Sequence, residues 1–197
     1  MKQNPFLAAA FMAFTVLITA SLTGCASLGG SQEVYKDPNM DFGAIRSVAV
    51  LPFNNLSKDS NAAERVRDVF LTRLLATGAL YVLPEGEVNR GLIRAGITSL
   101  ATLSTEDIQK LGGVLKVNAV ITGVLREYGE VRSGSSTADI ISLSLQMIDV
   151  ESGKVIWSAA STKGGVTTMD RLFGGGGNPM NSITQKAVSD LLADLFK

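Results

Sequence analysis

The residue types that most often carry enzymatic chemistry are scarce in this chain. Its 197 residues include no histidine and a single cysteine, Cys25. A histidine-based triad, a Cys–His pair and a metal site made of several cysteines or histidines therefore cannot be assembled. We expect no catalytic residue, no metal ligand and no cofactor, and the composition favours a protein that is not an enzyme.

Two pairs of carboxylates and one glycine run are the other candidates for chemistry. Glu127 with Glu130, or Glu106 with Asp107, could form the acid pair of a glycosidase, but such pairs are also common on solvated surfaces. The four glycines at 174–177 precede a predicted helix and could present amide groups to an anion. They lack the lysine of phosphate-binding loops, so a solvated loop is favoured there.

The first 25 residues have the pattern of a secretory signal. Lys2 gives a basic start, and residues 6–20 form an uncharged apolar run, shorter than the about 20 residues that span a membrane. The run leads to Leu22-Thr23-Gly24-Cys25, which resembles the lipobox of bacterial lipoproteins. The alternatives are a plain signal peptide with an incidental cysteine and an uncleaved anchor.

The lipobox resemblance implies cleavage between Gly24 and Cys25 and acylation of Cys25 by fatty acids such as palmitate. Two or three acyl chains hold a protein firmly on a membrane. The residue after the anchor is Ala26 and not Asp, which implies sorting to the outer membrane. We expect a signal peptide over 1–24, a flexible lipid-anchored tether over 25–44, rich in Ser, Gly, Asp, Asn and Pro, and a periplasmic domain over 45–197.

Apolar patterning over residues 45–197 predicts one α/β domain with the element order β-α-β-α-α-β-β-β-α. The expected architecture is a mixed, partly antiparallel sheet flanked by helices. Residues 141–147 alternate apolar and polar side chains, which indicates a half-buried strand. Asn61 with Glu64 and Ser104 with Asp107 have the spacing of helix capping boxes.

Three segments carry a resemblance to the CsgG-type lipoproteins. They are the strand Ser47–Phe53, the passage from helix into Asn118-Ala119-Val120-Ile121-Thr122-Gly123, and the hairpin over 148–158. This superfamily includes the curli secretion channel CsgG, the Pel polysaccharide lipoprotein PelC and the penicillin-binding-protein activator LpoB. The resemblance implies a compact periplasmic α/β domain, ring formation at the outer membrane in several members, and no transferable active site.

The function that we expect is that of a structural subunit in an envelope assembly exporting polysaccharide or protein, with a homo-oligomer anchored through Cys25. The alternative is a regulator that binds a cell-wall synthase, as LpoB does, or another envelope-maintenance module. A tether ending at residue 44 favours the first, because an activator that crosses the cell-wall layer needs a long arm. Equal numbers of basic and acidic residues, 18 each, argue against a nucleic-acid partner.

Trp157, Leu172 and Phe173 are the candidate interface residues. Trp157 offers a large apolar surface, either to the core or to a partner. Leu172 and Phe173 precede the glycine run, where they would either pack against the last helix or form an exposed apolar tip. Such a tip would contact a neighbouring subunit or the membrane surface.

Overall fold

The computed structural model describes residues 32–133, 136–165 and 178–196. The strands of this part are β1 Gln32–Lys36, β2 Ser47–Val50, β3 Asn54–Asn55, β4 Tyr81–Val82, β5 Ala119–Ser133, β6 Ser136–Asp149 and β7 Val155–Gly164. The α-helices are α1 Ala62–Thr77, α2 Glu85–Ala95, α3 Thr105–Leu115 and α4 Met180–Leu195, and a short 3-10 helix covers Phe42–Ala44. The predicted α/β class is confirmed, and from residue 47 onward only the short β3 is added to the predicted order.

The seven strands form one mixed sheet. Its order is β1-β7-β6-β5-β2-β4, with β3 pairing to β5 beside β2. Strand β2 pairs in parallel with β4 and β5, and β3 pairs in parallel with β5, since helices lie between these partners in the chain. Strands β5, β6 and β7 follow one another through short connections and pair antiparallel. The predicted mixed, partly antiparallel sheet is therefore what the chain forms.

Two apolar clusters hold the layers together. Helices α1 and α4 pack on one face of the sheet, where Phe70, Leu143 and Trp157 are fully buried. Helices α2 and α3 pack on the other face, over β2 and the adjoining ends of β5 and β6. The alternation predicted over residues 141–147 is confirmed, since its apolar members lie under α4 and its polar members face away.

The segment expected to be a flexible tether is partly folded. Gln32–Lys36 is strand β1, antiparallel to β7, and the Asp37 N–H continues the pairing with the carbonyl of Ile156 at 2.9 Å. Farther along, Met40 and Phe42 pack against the core cluster under α4. The prediction of an unstructured tether over 25–44 is therefore wrong for residues 32–44, because a strand of five residues leaves too little periodicity to be recognised.

Helix ends and glycines depart from the sequence pattern in two places. The capping box of Ser104 and Asp107 is present, whereas Asn61 makes no side-chain cap at the start of α1. The glycine at 112 does not end α3, which continues to Leu115. A Cβ at Gly112 would lie 2.4 Å from Cβ of Val150, so the absence of a side chain lets the helix approach this residue. Here glycine provides close packing of a helix on the sheet and not a turn.

Candidate functional site

The sheet leaves one face open over strands β1, β5, β6 and β7. Cross-strand pairing arranges the side chains of this open face in rows. One row contains Val124, Ser144, Ala160 and Glu33. The next row contains Thr122, Gln146, Ser158 and Tyr35. None of these residues belongs to either apolar cluster of the described part. Within the described residues, the open face is therefore not covered by a helix.

The open face carries hydroxyl groups, and several of them are hydrogen-bonded within the face. Its hydroxyl groups bond to neighbouring side chains: Thr162 Oγ1 donates to Ser142 Oγ at 3.1 Å, and the Arg126 guanidinium donates to Ser144 Oγ. No imidazole exists in the chain to activate a hydroxyl, because the sequence lacks histidine. An antiparallel sheet can present such a face to water or to another protein surface.

A concave feature of the surface lies where β5 and β6 extend beyond β7. It is an open cleft of about 750 Å³, lined by Leu56–Asp59, Arg126–Val131, Ile140 and Met180. At its edge Arg65 pairs with Asp59 and lies 5.5 Å over the Tyr128 ring. The Asn61 N–H, 3.0 Å from Asp59 Oδ1, and the Arg65 guanidinium hold the pKa of Asp59 below its ordinary value. The charges of Asp59 and Arg65 neutralise each other, and Glu127 and Glu130 also line the cleft, where both are exposed.

The carboxylates considered for catalysis lie either in a helix cap or on the exposed surface of a strand. Asp107 Oδ2 accepts from the backbone N–H of Ser104 at 3.1 Å and from its hydroxyl at 3.0 Å, and both bonds lower the pKa of Asp107. A general acid needs the opposite shift. Glu127 and Glu130 lie on β5 opposite Ser142 and Asp139, exposed to solvent. The described residues contain no group of three or more His, Cys, Asp or Glu able to hold a metal ion.

Trp157 is a core residue of the described fold. Its ring is fully buried, and it lies on β7 between Lys36 of β1 and Met147 of β6, under helix α4. Because no part of the ring is exposed on a single copy, the core alternative fits this placement and a contact role has no surface to act through. Within the part of the chain that is described, its Nε1 has no hydrogen-bond partner.

The remaining site residues of the sequence analysis lie outside the described residues. These are Gly24 and Cys25 at the lipobox and Leu172 and Phe173 before the glycine run. Among the described residues, no helix has the length and apolar character needed to cross a bilayer.

Arg67 is the functional group that the sequence analysis missed. The residue as a whole is 3% exposed, and its guanidinium donates to the carbonyls of Leu51 at 3.1 Å and Val50 at 2.6 Å while pairing with Glu85. It thereby ties α1 to the end of β2 and to the first turn of α2. The signal was available, because residue 67 shares the apolar stripe of Ala63, Phe70 and Leu74 at spacings of four and three.

Comparison with known proteins places the chain among lipoproteins. The family model "Putative lipoprotein GNA1162-like" matches residues 40–191. A curated protein of Neisseria meningitidis serogroup B, "Putative lipoprotein NMB1124/NMB1162", is 25% identical over 135 residues, which are 66% of this chain and 62% of that protein. The chain thus spans less than two thirds of the length of this relative.

Solved structures share the fold. A PelC dodecamer from Paraburkholderia phytofirmans superposes with a TM-score of 0.56 at 17% identity, covering 84% of this chain and 97% of that one. Lipoprotein GNA1162 from Neisseria meningitidis gives 0.55 at 21% identity, covering 76% and 97%. The resemblance drawn from the sequence is therefore confirmed for the fold of PelC, while the matching family is the GNA1162-like group.

Proposed function

The chain belongs to the GNA1162-like lipoprotein family, and from that membership we propose that it is a lipid-anchored structural subunit of an envelope export assembly. The domain would face the periplasm from the outer membrane and assemble with copies of itself. The exported material would be polysaccharide or protein. The observation that carries the proposal is the open face of the sheet, a broad contact surface on a domain without a catalytic constellation in its described residues.

Anchoring is supported by sequence and by the position of β1. Cys25 stands at the end of a segment that resembles a lipobox, and the described part of the chain begins at Gln32, seven residues later. A fully extended chain advances about 3.4 Å per residue, so Cys25 lies within about 24 Å of Gln32. The domain would therefore stay close to the membrane that holds the acyl chains.

Assembly is supported by the fold of PelC, a protein crystallised as a dodecamer. A ring arises when one surface of a subunit contacts a different surface of the next and the rotation closes. On this chain the open face is the natural first surface, since its small side chains permit close approach of a neighbour. Ala160 lies between Ser144 and Glu33 in one row of that face.

A non-enzymatic role agrees with the chemistry of the site. The hydroxyls of Ser142, Ser144 and Thr162 are hydrogen-bonded within the open face. Hydrogen bonds also lower the pKa values of Asp107 and Asp59. The related proteins are described by their names as lipoproteins and not as enzymes.

The alternative left by the sequence, a regulator of a cell-wall synthase, would need an arm long enough to cross the periplasm. The pairing of β1 with β7 takes residues 32–36 out of that arm. What precedes the domain is then the short segment after Cys25, which argues for a role near the membrane surface.

Assembly can be tested on the full acylated chain. We expect the protein extracted in mild detergent to give one oligomeric mass by native mass spectrometry, and Ala160→Arg to shift it towards monomer because the arginine projects from the open face. Asn89→Arg, on the exposed side of α2, is the matched control and should leave the mass unchanged. A wild-type chain that stays monomeric at high concentration would overturn the assembly.

A further inference from the structure

Strand β1 forms one edge of the sheet and carries two exposed apolar side chains. Val34 is 47% exposed and Tyr35 50% exposed. Because the Asp37 N–H bonds inward to Ile156, antiparallel alternation directs the N–H groups of Lys36 and Val34 away from β7. An edge strand with free backbone groups and apolar side chains needs a partner or a cover.

The distance from the anchor limits which surface can approach the membrane. The anchor segment, residues 25–32, can extend over at most about 24 Å whatever path it follows. The membrane surface must therefore lie within that distance of Gln32, if Cys25 carries the acyl chains.

The opposite edge of the sheet lies at the limit of what the anchor segment can span. Strand β4 lies at the other end of the strand order, five strand spacings from β1. At about 4.8 Å per spacing this is about 24 Å, so the anchor segment would have to run fully extended across the whole sheet to bring β4 to the lipid.

The tip of the β5–β6 hairpin lies farther from Gln32 than the anchor segment can span. Gln32 pairs with Ser161, Ser161 with Leu143 and Leu143 with Leu125, so these four residues lie at one level of the sheet. The hairpin continues from Leu125 to Ser133, eight residues or about 27 Å farther. A domain standing on that tip would hold Gln32 farther from the membrane than the anchor segment can span.

The β1 edge lies within the span of the anchor segment and carries the exposed apolar side chains Val34 and Tyr35. The open face beside it is also near the anchor, and Tyr35 stands at its rim, but the side chains farther inside that face are mostly small and hydroxyl-bearing. Tyrosine suits the membrane interface, since its ring is apolar and its hydroxyl remains hydrated. We propose that the β1 edge lies against the lipid headgroup layer, with Val34 and Tyr35 as its contacts. This orientation rests on the anchoring of Cys25 proposed above.

Two tyrosines on opposite edges provide a matched test. Tyr35 on β1 and Tyr81 on β4 are exposed to 50% and 61%. Each is changed to tryptophan in the full acylated chain, which is reconstituted into vesicles whose phosphatidylcholine carries bromine atoms on its acyl chains. The native Trp157 is fully buried and gives the baseline in the wild-type protein. We expect brominated lipid to quench the added emission of Tyr35→Trp and to leave that of Tyr81→Trp unchanged.

The outcomes separate the orientation from the anchoring. Flotation of the wild-type protein with vesicles, and its loss in Cys25→Ser, reports on anchoring alone. If the wild type floats while Tyr35→Trp is not quenched, or both variants are quenched equally, the proposed orientation is overturned and the anchoring stands. If the wild type does not float, the anchoring fails and the orientation fails with it.

Discussion

Arg67 and Glu85 form an ion pair whose two ends differ sharply in their access to water. The Arg67 side chain is 4% exposed and that of Glu85 47% exposed. Only the arginine end is buried, where its guanidinium also donates hydrogen bonds to the carbonyls of Leu51 and Val50. The arginine therefore carries the stabilising role of the pair, and the two residues should respond differently to substitution.

We expect Arg67→Ala to lower the free energy of unfolding by about 2–4 kcal/mol, because it leaves two buried carbonyls without a donor and removes a packed side chain. Glu85→Gln should cost about 1 kcal/mol or less, since its carboxylate is half in water. Urea unfolding monitored by circular dichroism measures both. Equal losses in the two variants would contradict this asymmetry.

Replacing each of two adjacent glycines of α3 by alanine should change the free energy of unfolding in opposite directions. A Cβ at Gly112 would lie 2.4 Å from Cβ of Val150, whereas one at Gly113 meets no atom within 4 Å. We expect Gly112→Ala to destabilise by about 1–3 kcal/mol through overpacking. Gly113→Ala should stabilise by about 0.5–1 kcal/mol through its helix propensity. Thermal unfolding of the pair is the measurement, and a stabilising Gly112→Ala would disprove the close approach.

Acid should weaken the start of α3. The Ser104 hydrogen bonds hold the pKa of Asp107 below its ordinary value of 3.8. A carboxyl whose pKa is lowered by folding stabilises the fold above its unfolded pKa, and this stabilisation is lost as pH falls through the folded pKa. Urea midpoints measured from neutral pH to below 3.8 should fall more steeply for the wild type than for Asp107→Asn. Parallel curves would show that the cap does not depend on charge.

The anchor prediction concerns Cys25 alone. Cys25→Ser should abolish acylation and move the protein from the outer-membrane fraction to the soluble periplasmic fraction, because serine cannot receive the thioether-linked lipid. Intact-mass spectrometry of the wild type should show the added acyl mass on a chain that begins at residue 25. An unmodified Cys25 in the wild type would sink the prediction.

Local patterns were sufficient for most elements of this fold. The alternation at residues 141–147 and the Ser104–Asp107 spacing each depend on neighbours in sequence, and the structure confirms both. Gly123 shows why a glycine stands within strand β5, since its backbone is closely approached by side chains from two directions. Phe53 and Leu145 approach to 2.7 Å from its would-be Cβ, while the bulge lies at Arg126.

Distant contacts account for what the sequence could not predict. Strand β1 is defined by pairing with β7, more than a hundred residues away, and its five residues have no distinctive composition. Asn61 has capping chemistry, yet its backbone is not in the extended conformation that directs a side chain to the helix N–H groups. For the open face, sequence indicated polar residues but not which strands would share them.

The pairing of β1 with β7 also has a consequence for the timing of folding. In the folded chain Lys36 Nζ bonds to the carbonyl of Leu195, a contact that joins residues 159 positions apart. In a chain that crosses a membrane from its N-terminus, the segment next to Cys25 emerges first and its partners emerge last. Contacts so distant in sequence form late. If Cys25 is acylated as proposed, its modification would therefore precede the pairing of β1 with β7.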